Sequence, residues 1–319
     1  MSVLSAPHFH DEEAAFGFLE DALWPQGPVC SHCGGMGRIT KVKANPEKRI
    51  RVGLHRCGDC KKQFRVTVGT VFEHARIPLN KVLQAVHLLC LSKKGISSHQ
   101  LHRVLEVQYK TAWFLSHRIR EAMRSGELAP FGGNGGVVEV DETFIGNDRS
   151  VKPKGEKKGR GYHHKHKVLS LVDRDTGQKR SMVVDDLKAS TLAPIIEENM
   201  AREAKLMTDE AAYYTRIGAS FADHQIVHHN AGEYVNLADR TIHTNTIEGV
   251  FSIFKRGMKG VYQHCSERHL HRYLAEFDFR YNNRTALGVD DVPRTEAALR
   301  GIVGKRLTYR GSPEGLSIA

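Results

Sequence analysis

Long apolar runs are missing from this sequence: none approaches the ~20 residues that a membrane-spanning helix needs. A secretory signal is not expected either, because residues 1–24 (MSVLSAPHFHDEEAAFGFLEDALW) carry acids and have no basic stretch before an apolar core. From both absences we predict a protein of the cytoplasm without a membrane partner. Cysteine thiols stay reduced in that compartment.

Acidic side chains are fewer than basic ones. The chain of 319 residues has 36 Asp and Glu against 47 Lys and Arg, which gives a formal net charge of +11. A positive surplus of this size favours a polyanionic partner such as nucleic acid. A basic protein that binds no polyanion is the alternative that charge alone leaves open.

Cysteine is rare outside two closely spaced pairs. Four of the six cysteines lie in the motifs CSHC, residues 30–33, and CGDC, residues 57–60. Each motif can place two thiolates on one ion, and two such turns can form the four-sulfur cage that zinc prefers. Redox CxxC motifs usually occur singly, and disulfides are rare in the cytosol. We therefore predict a structural zinc ion held by Cys30, Cys33, Cys57 and Cys60, within an N-terminal segment and zinc ribbon at residues 1–75.

Residues 76–127 are predicted to form a helical DNA-binding region. Residues 78–91 have apolar side chains at helical spacing, and residues 98–105 and 110–123 are predicted to be two further helices around a short turn. This pair is typical of a helix-turn-helix, although many helical pairs of other function share the pattern. Its second helix carries the predicted DNA contacts, Lys110, Arg118 and Arg120.

A glycine-rich linker, residues 128–136, precedes a strand-rich segment at residues 137–290. Apolar runs predict five strands, at residues 137–146, 165–173, 179–185, 205–209 and 225–229. With a crossover helix at residues 190–204, this order matches an α/β fold, a ribonuclease H-like mixed five-stranded sheet flanked by helices. A helix at residues 267–280 is expected to pack on the sheet, and residues 291–319 are predicted to be a C-terminal tail.

Between the first two strands, residues 151–167 are rich in lysine and arginine. We predict a mobile basic loop here. Such a loop could lie along DNA, or it could simply be solvated.

Three acids stand out in this segment. Asp141 and Asp209 lie at the ends of apolar strands, and Glu248 lies on a helix expected to begin at Thr244 or Asn245. A salt bridge could explain either aspartate, and an exposed charged face could explain Glu248. Taken as a set, three carboxylates can instead hold two Mg²⁺ ions, or Mn²⁺ in their place, for phosphoryl transfer.

The residues near these three acids are expected to have other roles. Lys255 lies seven residues, or two helical turns, after Glu248 and so shares its face. We predict that Lys255 and Arg256 contact DNA. Glu142 and Glu210 directly follow the two aspartates, and on a strand they are expected to face away from the metal ions.

Five segments carry a resemblance to a known family. They are CSHC…CGDC, VEVDETFIG, LMTDEAAYY, HTNTIEGVFSIFKRGMKGVYQH and HLHRYLAEFDFRYNNR. Over roughly residues 15–290 the chain resembles bacterial insertion-sequence transposases of the DDE superfamily, in the branch with an N-terminal zinc ribbon. By that resemblance Asp141, Asp209 and Glu248 take the acid positions, and Lys255 takes the trailing lysine position.

The resemblance implies a function and partners. It implies binding of double-stranded DNA at the element's terminal repeats, metal-dependent strand cleavage, and strand transfer into target DNA. A homodimer or larger assembly on DNA, located in the cytoplasm with the nucleoid, is expected with it. Two alternatives stay open: a nuclease of the same fold that cuts without joining, and a zinc-ribbon DNA-binding regulator with an inactive catalytic domain.

Overall fold

The computed structural model describes residues 3–126, 129–147, 164–229, 232 and 234–308. The chain divides into an N-terminal unit, residues 1–124 with 289–319, and a central unit, residues 125–288. Most of the predicted basic loop, at residues 151–163, lies outside the described residues. Within the described ranges, every helix is too short or too polar to cross a lipid bilayer.

The N-terminal unit starts with a helix that sequence analysis did not predict, α1 (Glu12–Leu23). The Asp11 carboxylate caps this helix by accepting a hydrogen bond from the amide of Ala14 at 2.7 Å. A small antiparallel sheet follows, with β2 (His55–Cys57) between β1 (Ile39–Lys41) and β3 (Gln63–Phe64). Cys30 and Cys33 precede β1, whereas Cys57 is the last residue of β2 and Cys60 follows it. The small sheet thus holds the two cysteine pairs close together.

Four more helices complete this unit: α2 (Leu79–Leu91), α3 (Ser98–Leu105), α4 (Tyr109–Ala122) and α9 (Asp291–Arg300). The first three agree with the predicted helices to within one residue. Helix α9 lies in the segment predicted to be a tail. It packs on α2, and its apolar residues Ala298 and Leu299 are buried. Arg294 of α9 donates a hydrogen bond to the carbonyl of Cys90 at 3.2 Å. Residues 291–300 thus belong to the packed N-terminal unit.

The central unit is built on a five-stranded sheet. Its strands are β4 (Val137–Ile145), β5 (His166–Asp173), β6 (Lys179–Val184), β7 (Lys205–Asp209) and β8 (Asp223–Val227). They lie in the order β6-β5-β4-β7-β8. The pairs among β4, β5 and β6 are antiparallel, whereas β7 runs parallel to both β4 and β8. This mixed sheet has the predicted ribonuclease H-like order.

Helices cover both faces of this sheet. On one face, α5 (Ala189–Asn199) and α6 (Ala212–Gly218) pack over Val138 and Val140 of β4. On the other face, α7 (Asn245–Gly257) and α8 (Glu267–Asn282) share apolar clusters with β5. Helix α8 therefore packs on the sheet as expected. The ion pair of Lys179 Nζ with Asp278 Oδ1, 2.9 Å long and buried, joins it to β6.

Candidate active site

Asp141 and Asp209 come together at one edge of the central sheet. Strands β4 and β7 are parallel neighbours, and their pairing runs from Val137–Lys205 to Glu139–Met207. Both aspartates lie two residues beyond the last of these pairs, at the same edge of the two parallel strands. Asp209 accepts a hydrogen bond from the amide of Ala211 at 3.0 Å, which orients its carboxylate at the start of α6.

A third carboxylate, that of Glu142, joins these two. Oxygen atoms of Asp141, Glu142 and Asp209 lie within 4.8 Å of one another, close enough to hold one metal ion. The pKa of the Asp141 carboxyl is raised well above its usual value by burial, and further by the negative charges of Glu142, Asp209 and Glu248. Clustered oxygen ligands of this kind fit a hard divalent cation, which would also relieve the repulsion between the carboxylates.

The expectation that Glu142 faces away from the metal ions is wrong, since its carboxylate belongs to this cluster. Strand β4 stays paired with β5 through Ile145, but its pairing with β7 ends at Glu139, so no paired backbone on that side separates the Glu142 carboxylate from that of Asp209. The Tyr213 and Tyr214 hydroxyls both donate hydrogen bonds to Glu142, the latter at 2.9 Å. Burial raises the pKa of Glu142, and these two hydrogen bonds act in the opposite direction.

Glu248 lies in the first turn of α7 and outside the cluster of three carboxylates. It lines an open cavity of about 970 Å³ together with Asp141 and Glu142. Its Oε1 is 3.3 Å from Nε2 of His229, and its side chain is 42% exposed. The structure thus brings Glu248 to the same cavity as Asp141, and it adds His229, which sequence analysis missed. The sequence signal for His229 was its place as the last residue of the predicted strand at residues 225–229.

Basic side chains border the same cavity. Lys255 and Arg256, the predicted DNA contacts of α7, both line it, as does Lys259 one turn further on. Burial lowers the pKa of Lys255, whereas the negative charge of Asp141 raises it. Cations beside carboxylates can neutralise the phosphate backbone of a nucleic acid brought to those acids.

The predicted DNA contacts of α4 differ in their exposure. Lys110 is exposed. Arg118 is half-buried, and its guanidinium lies 4.9 Å from the ring centre of Phe114. Arg120 is only 1% exposed, and it donates a hydrogen bond to the hydroxyl of Ser116 at 3.0 Å. This burial is incompatible with a phosphate contact, so Arg120 is not retained as a DNA-binding residue.

The four predicted zinc ligands form one cluster in the N-terminal unit. Their Sγ atoms lie within 4.8 Å of one another, with Cys30–Cys60 at 3.6 Å and Cys33–Cys57 at 3.7 Å. A tetrahedral zinc ion with Zn–S bonds of about 2.3 Å needs sulfurs roughly 3.8 Å apart. The cluster therefore fits structural zinc, as the motif spacing indicated.

Two family matches agree with the fold and with these two sites. Residues 134–282 match the ISXO2-like transposase domain, and residues 10–63 match the transposase zinc-ribbon domain. Together the two ranges span more than half of the chain. The chain thus carries a transposase zinc ribbon and an ISXO2-like transposase domain, which confirms the resemblance to insertion-sequence transposases of the DDE superfamily with an N-terminal zinc ribbon.

A relative of this chain comes from an archaeon. It is the "Uncharacterized protein in transposable element ISH50" of Halobacterium salinarum, 27% identical over 289 residues, which are 85% of this chain and 91% of the relative. The similarity thus extends over both units.

Two solved structures are also similar, at a low level. The pre-cleavage Mos1 transpososome is 14% identical, with 69% of this chain and 73% of that chain covered and a TM-score of 0.28. The simian T-cell lymphotropic virus intasome in complex with the PP2A regulatory subunit B56 gamma is 13% identical, with 62% and 65% covered and a TM-score of 0.28. This chain therefore spans slightly less than two thirds of that intasome chain. At such TM-scores neither likeness supports a conclusion, and the fold rests on the observed strand order.

Proposed function

We propose that this protein binds the ends of its element and catalyses metal-dependent cleavage and transfer of DNA strands. The observation that carries the proposal is the meeting of Asp141 and Asp209 at one sheet edge, beside a cavity that Glu248 also lines. By their resemblance to DDE transposases, Asp141, Asp209 and Glu248 take the three acid positions. The substrates in this proposal are double-stranded DNA with terminal repeats and a target duplex.

Asp141, Asp209 and Glu248 would hold two divalent ions, Mg²⁺ or Mn²⁺. Such ions activate an attacking water or 3′-hydroxyl and stabilise the leaving oxygen. Glu142 adds negative charge to this centre, and its two tyrosine partners keep its carboxylate in place. Lys255, Arg256 and Lys259 border the cavity, so they can hold the DNA backbone against the acids.

Joining two element ends to one target requires both ends to be held together. We therefore propose that the active form is a homodimer or larger assembly on DNA. Lys110 and the zinc ribbon in the N-terminal unit are the proposed contacts to the terminal repeats, because Lys110 is exposed and the ribbon surface is rich in basic residues.

The direct test is a strand-transfer assay. Full-length protein is incubated with a linear fragment that carries the element's terminal repeats, a supercoiled target plasmid, and Mg²⁺ or Mn²⁺. We expect cleaved ends and joined products. Cleaved ends without joined products would support the nuclease alternative, and end binding without cleavage would support the inactive regulator.

Glu248→Gln is expected to reduce cleavage and joining together, by about a thousandfold if one metal ligand contributes ~4 kcal/mol to the transition state. Glu267→Gln is the matched control, because Glu267 also lies in the first turn of a helix, is 59% exposed, and lines none of the cavity. Equal activity of the Glu248 variant and wild type would exclude Glu248 as a metal ligand.

Lys255→Ala is expected to weaken DNA binding in a salt-dependent way. If its ammonium contacts one phosphate, the slope of log affinity against log salt should fall by about 0.9. Fluorescence anisotropy at several salt concentrations measures this slope. Lys188→Ala removes the same charge from an exposed site paired with Asp186, and it should leave the slope unchanged. Identical slopes for both variants would contradict a backbone contact at Lys255.

A further inference from the structure

Glu139 is a buried acid that the proposed chemistry does not use. It lies on β4 two residues before Asp141, so both side chains point to the same face of the sheet. Its side chain is fully buried, and Arg174 Nε donates to its Oε1 at 2.6 Å. The other oxygen, Oε2, accepts a hydrogen bond from the backbone amide of Ile247 at 2.8 Å. Ile247 directly precedes Glu248.

The bond to Ile247 replaces an ordinary helix cap. The first amides of a helix have no partner within the helix, and a nearby side chain usually satisfies one of them. Thr244, the residue before α7, makes no capping hydrogen bond with its side chain. A carboxylate from β4, 108 residues away, caps the helix instead. Its negative charge also suits the positive end of the helix dipole.

Arg174 ties the segment before α7 to the same strand. Its guanidinium donates to the carbonyl of His243 at 2.5 Å and to the carbonyl of Thr241 at 2.6 Å, besides its contact with Glu139. Its backbone amide donates to the carbonyl of Val137 on β4 at 2.9 Å. Glu139 and Arg174 thus connect β4 to the chain just before α7 and to the first turn of α7.

We propose that Glu139, held by Arg174, is a positioning residue that fixes Glu248 of α7 relative to Asp141 of β4. The inference rests on the proposed function, because the position of Glu248 matters only if it binds the metal ions. A purely structural buried ion pair is the competing explanation. Lys179 and Asp278 form such a pair in the same unit, between β6 and α8, and so offer a matched comparison.

The test maps where a bound metal ion lies, without measuring DNA cleavage. Full-length protein is loaded with Fe²⁺ and treated with hydrogen peroxide and ascorbate. Fe²⁺ reduces the peroxide to a hydroxyl radical, which cuts the backbone near the metal, and ascorbate returns the Fe³⁺ to Fe²⁺. Wild type should be cut near residues 141, 209 and 248. In Glu139→Gln the cut near residue 248 should fall at least fivefold relative to the other two, because the new amide group opposes the donors of Arg174. Asp278→Asn should keep all three cuts in the wild-type ratio.

Amide hydrogen exchange provides a second measurement that needs no metal. Exchange in residues 245–250 should accelerate at least tenfold in Glu139→Gln, and it should stay unchanged in Asp278→Asn. Arg174→Lys keeps the charge and loses the forked contact, so it serves if Glu139→Gln does not fold. In Arg174→Lys we expect smaller changes of the same kind in the cutting pattern and in amide exchange.

Each outcome separates the two proposals. Wild-type exchange and an unchanged cutting pattern in Glu139→Gln would overturn the positioning role and leave the metal centre intact. Equal loss of all three cuts, with the same loss in Asp278→Asn, would also overturn it in favour of a structural pair. Absence of cuts in wild type would overturn the proposed metal centre, while the exchange measurement would still decide whether Glu139 holds α7.

Discussion

Asp141→Asn is expected to raise the melting temperature of the metal-free protein and to abolish DNA cleavage. Asp141 is crowded by Glu142 and Asp209, so its ionised form opposes folding unless a cation is bound. Removing that charge should stabilise the central unit, by about 2–4 °C for each kcal/mol gained. Cleavage should fall by about a thousandfold or more, because a metal ligand is lost.

The pH dependence of stability should change in the same variant. A carboxyl whose folded-state pKa is raised stabilises the protein below its ordinary pKa, and this contribution is lost as pH rises through the folded-state pKa. Metal-free wild type should therefore lose stability with rising pH, because burial and neighbouring acids raise the pKa of Asp141. Asp141→Asn should show a flatter profile. Differential scanning fluorimetry across pH, without added Mg²⁺ or Mn²⁺ and without chelator so that the zinc stays bound, measures both.

Mg²⁺ or Mn²⁺ should raise the melting temperature of wild type more than that of Asp141→Asn, since binding to the native state stabilises it. Asp239→Asn is a control of opposite sign, because hydrogen bonds from Thr241 lower the pKa of Asp239, and neutralising it should not stabilise the protein. A lower melting temperature for metal-free Asp141→Asn, or equal metal stabilisation in both proteins, would contradict a metal centre at Asp141.

Cys57→Ser is expected to remove zinc and unfold the ribbon. Cys57 is fully buried in the cluster of four thiols, so no other side chain can replace it. Structural zinc contributes roughly 10–16 kcal/mol of apparent binding free energy, far more than a small three-stranded sheet provides. We expect about one zinc per chain in wild type, none in the variant, and faster amide exchange across residues 30–64.

Cys90→Ala is the control for this experiment. Cys90 is also buried in the N-terminal unit, but it lies on α2 outside the thiol cluster. The Cys90→Ala variant should lose some packing in the N-terminal unit but keep its zinc. Elemental analysis of the purified protein measures the zinc content. Zinc-free wild type that keeps its ribbon structure in chelator would overturn the zinc assignment.

Local patterns predicted much of the secondary structure in this protein. Helix α3 has the predicted bounds, and β7 does as well, because helical spacing and short apolar runs are local signals. Helix α9 was not predicted because a polar segment near the end of a chain resembles a tail until a partner helix buries its apolar face.

Two errors in the candidate site have a common cause. Arg120 was assigned to DNA because it is basic, but its face of α4 is buried. Glu142 was expected to face away from the metal centre because strands alternate, but its carboxylate still reaches Asp209, which lies on the neighbouring strand beyond the end of the β4–β7 pairing. Charge and alternation describe single elements, whereas burial and strand pairing depend on neighbouring elements.

Residue type and spacing were enough to name the four clustered thiols and to bring out Asp141 and Asp209, whose carboxylates the structure also clusters, because a ligand set depends on the chemistry of its side chains. The positions of the five strands along the chain followed from local periodicity, and their succession matched the ribonuclease H-like order that the sheet has. Only the folded chain could place Glu139 against the amide of Ile247, or His229 beside Glu248. Such contacts join residues far apart in sequence, and nothing in the local pattern of either partner records the distance between them.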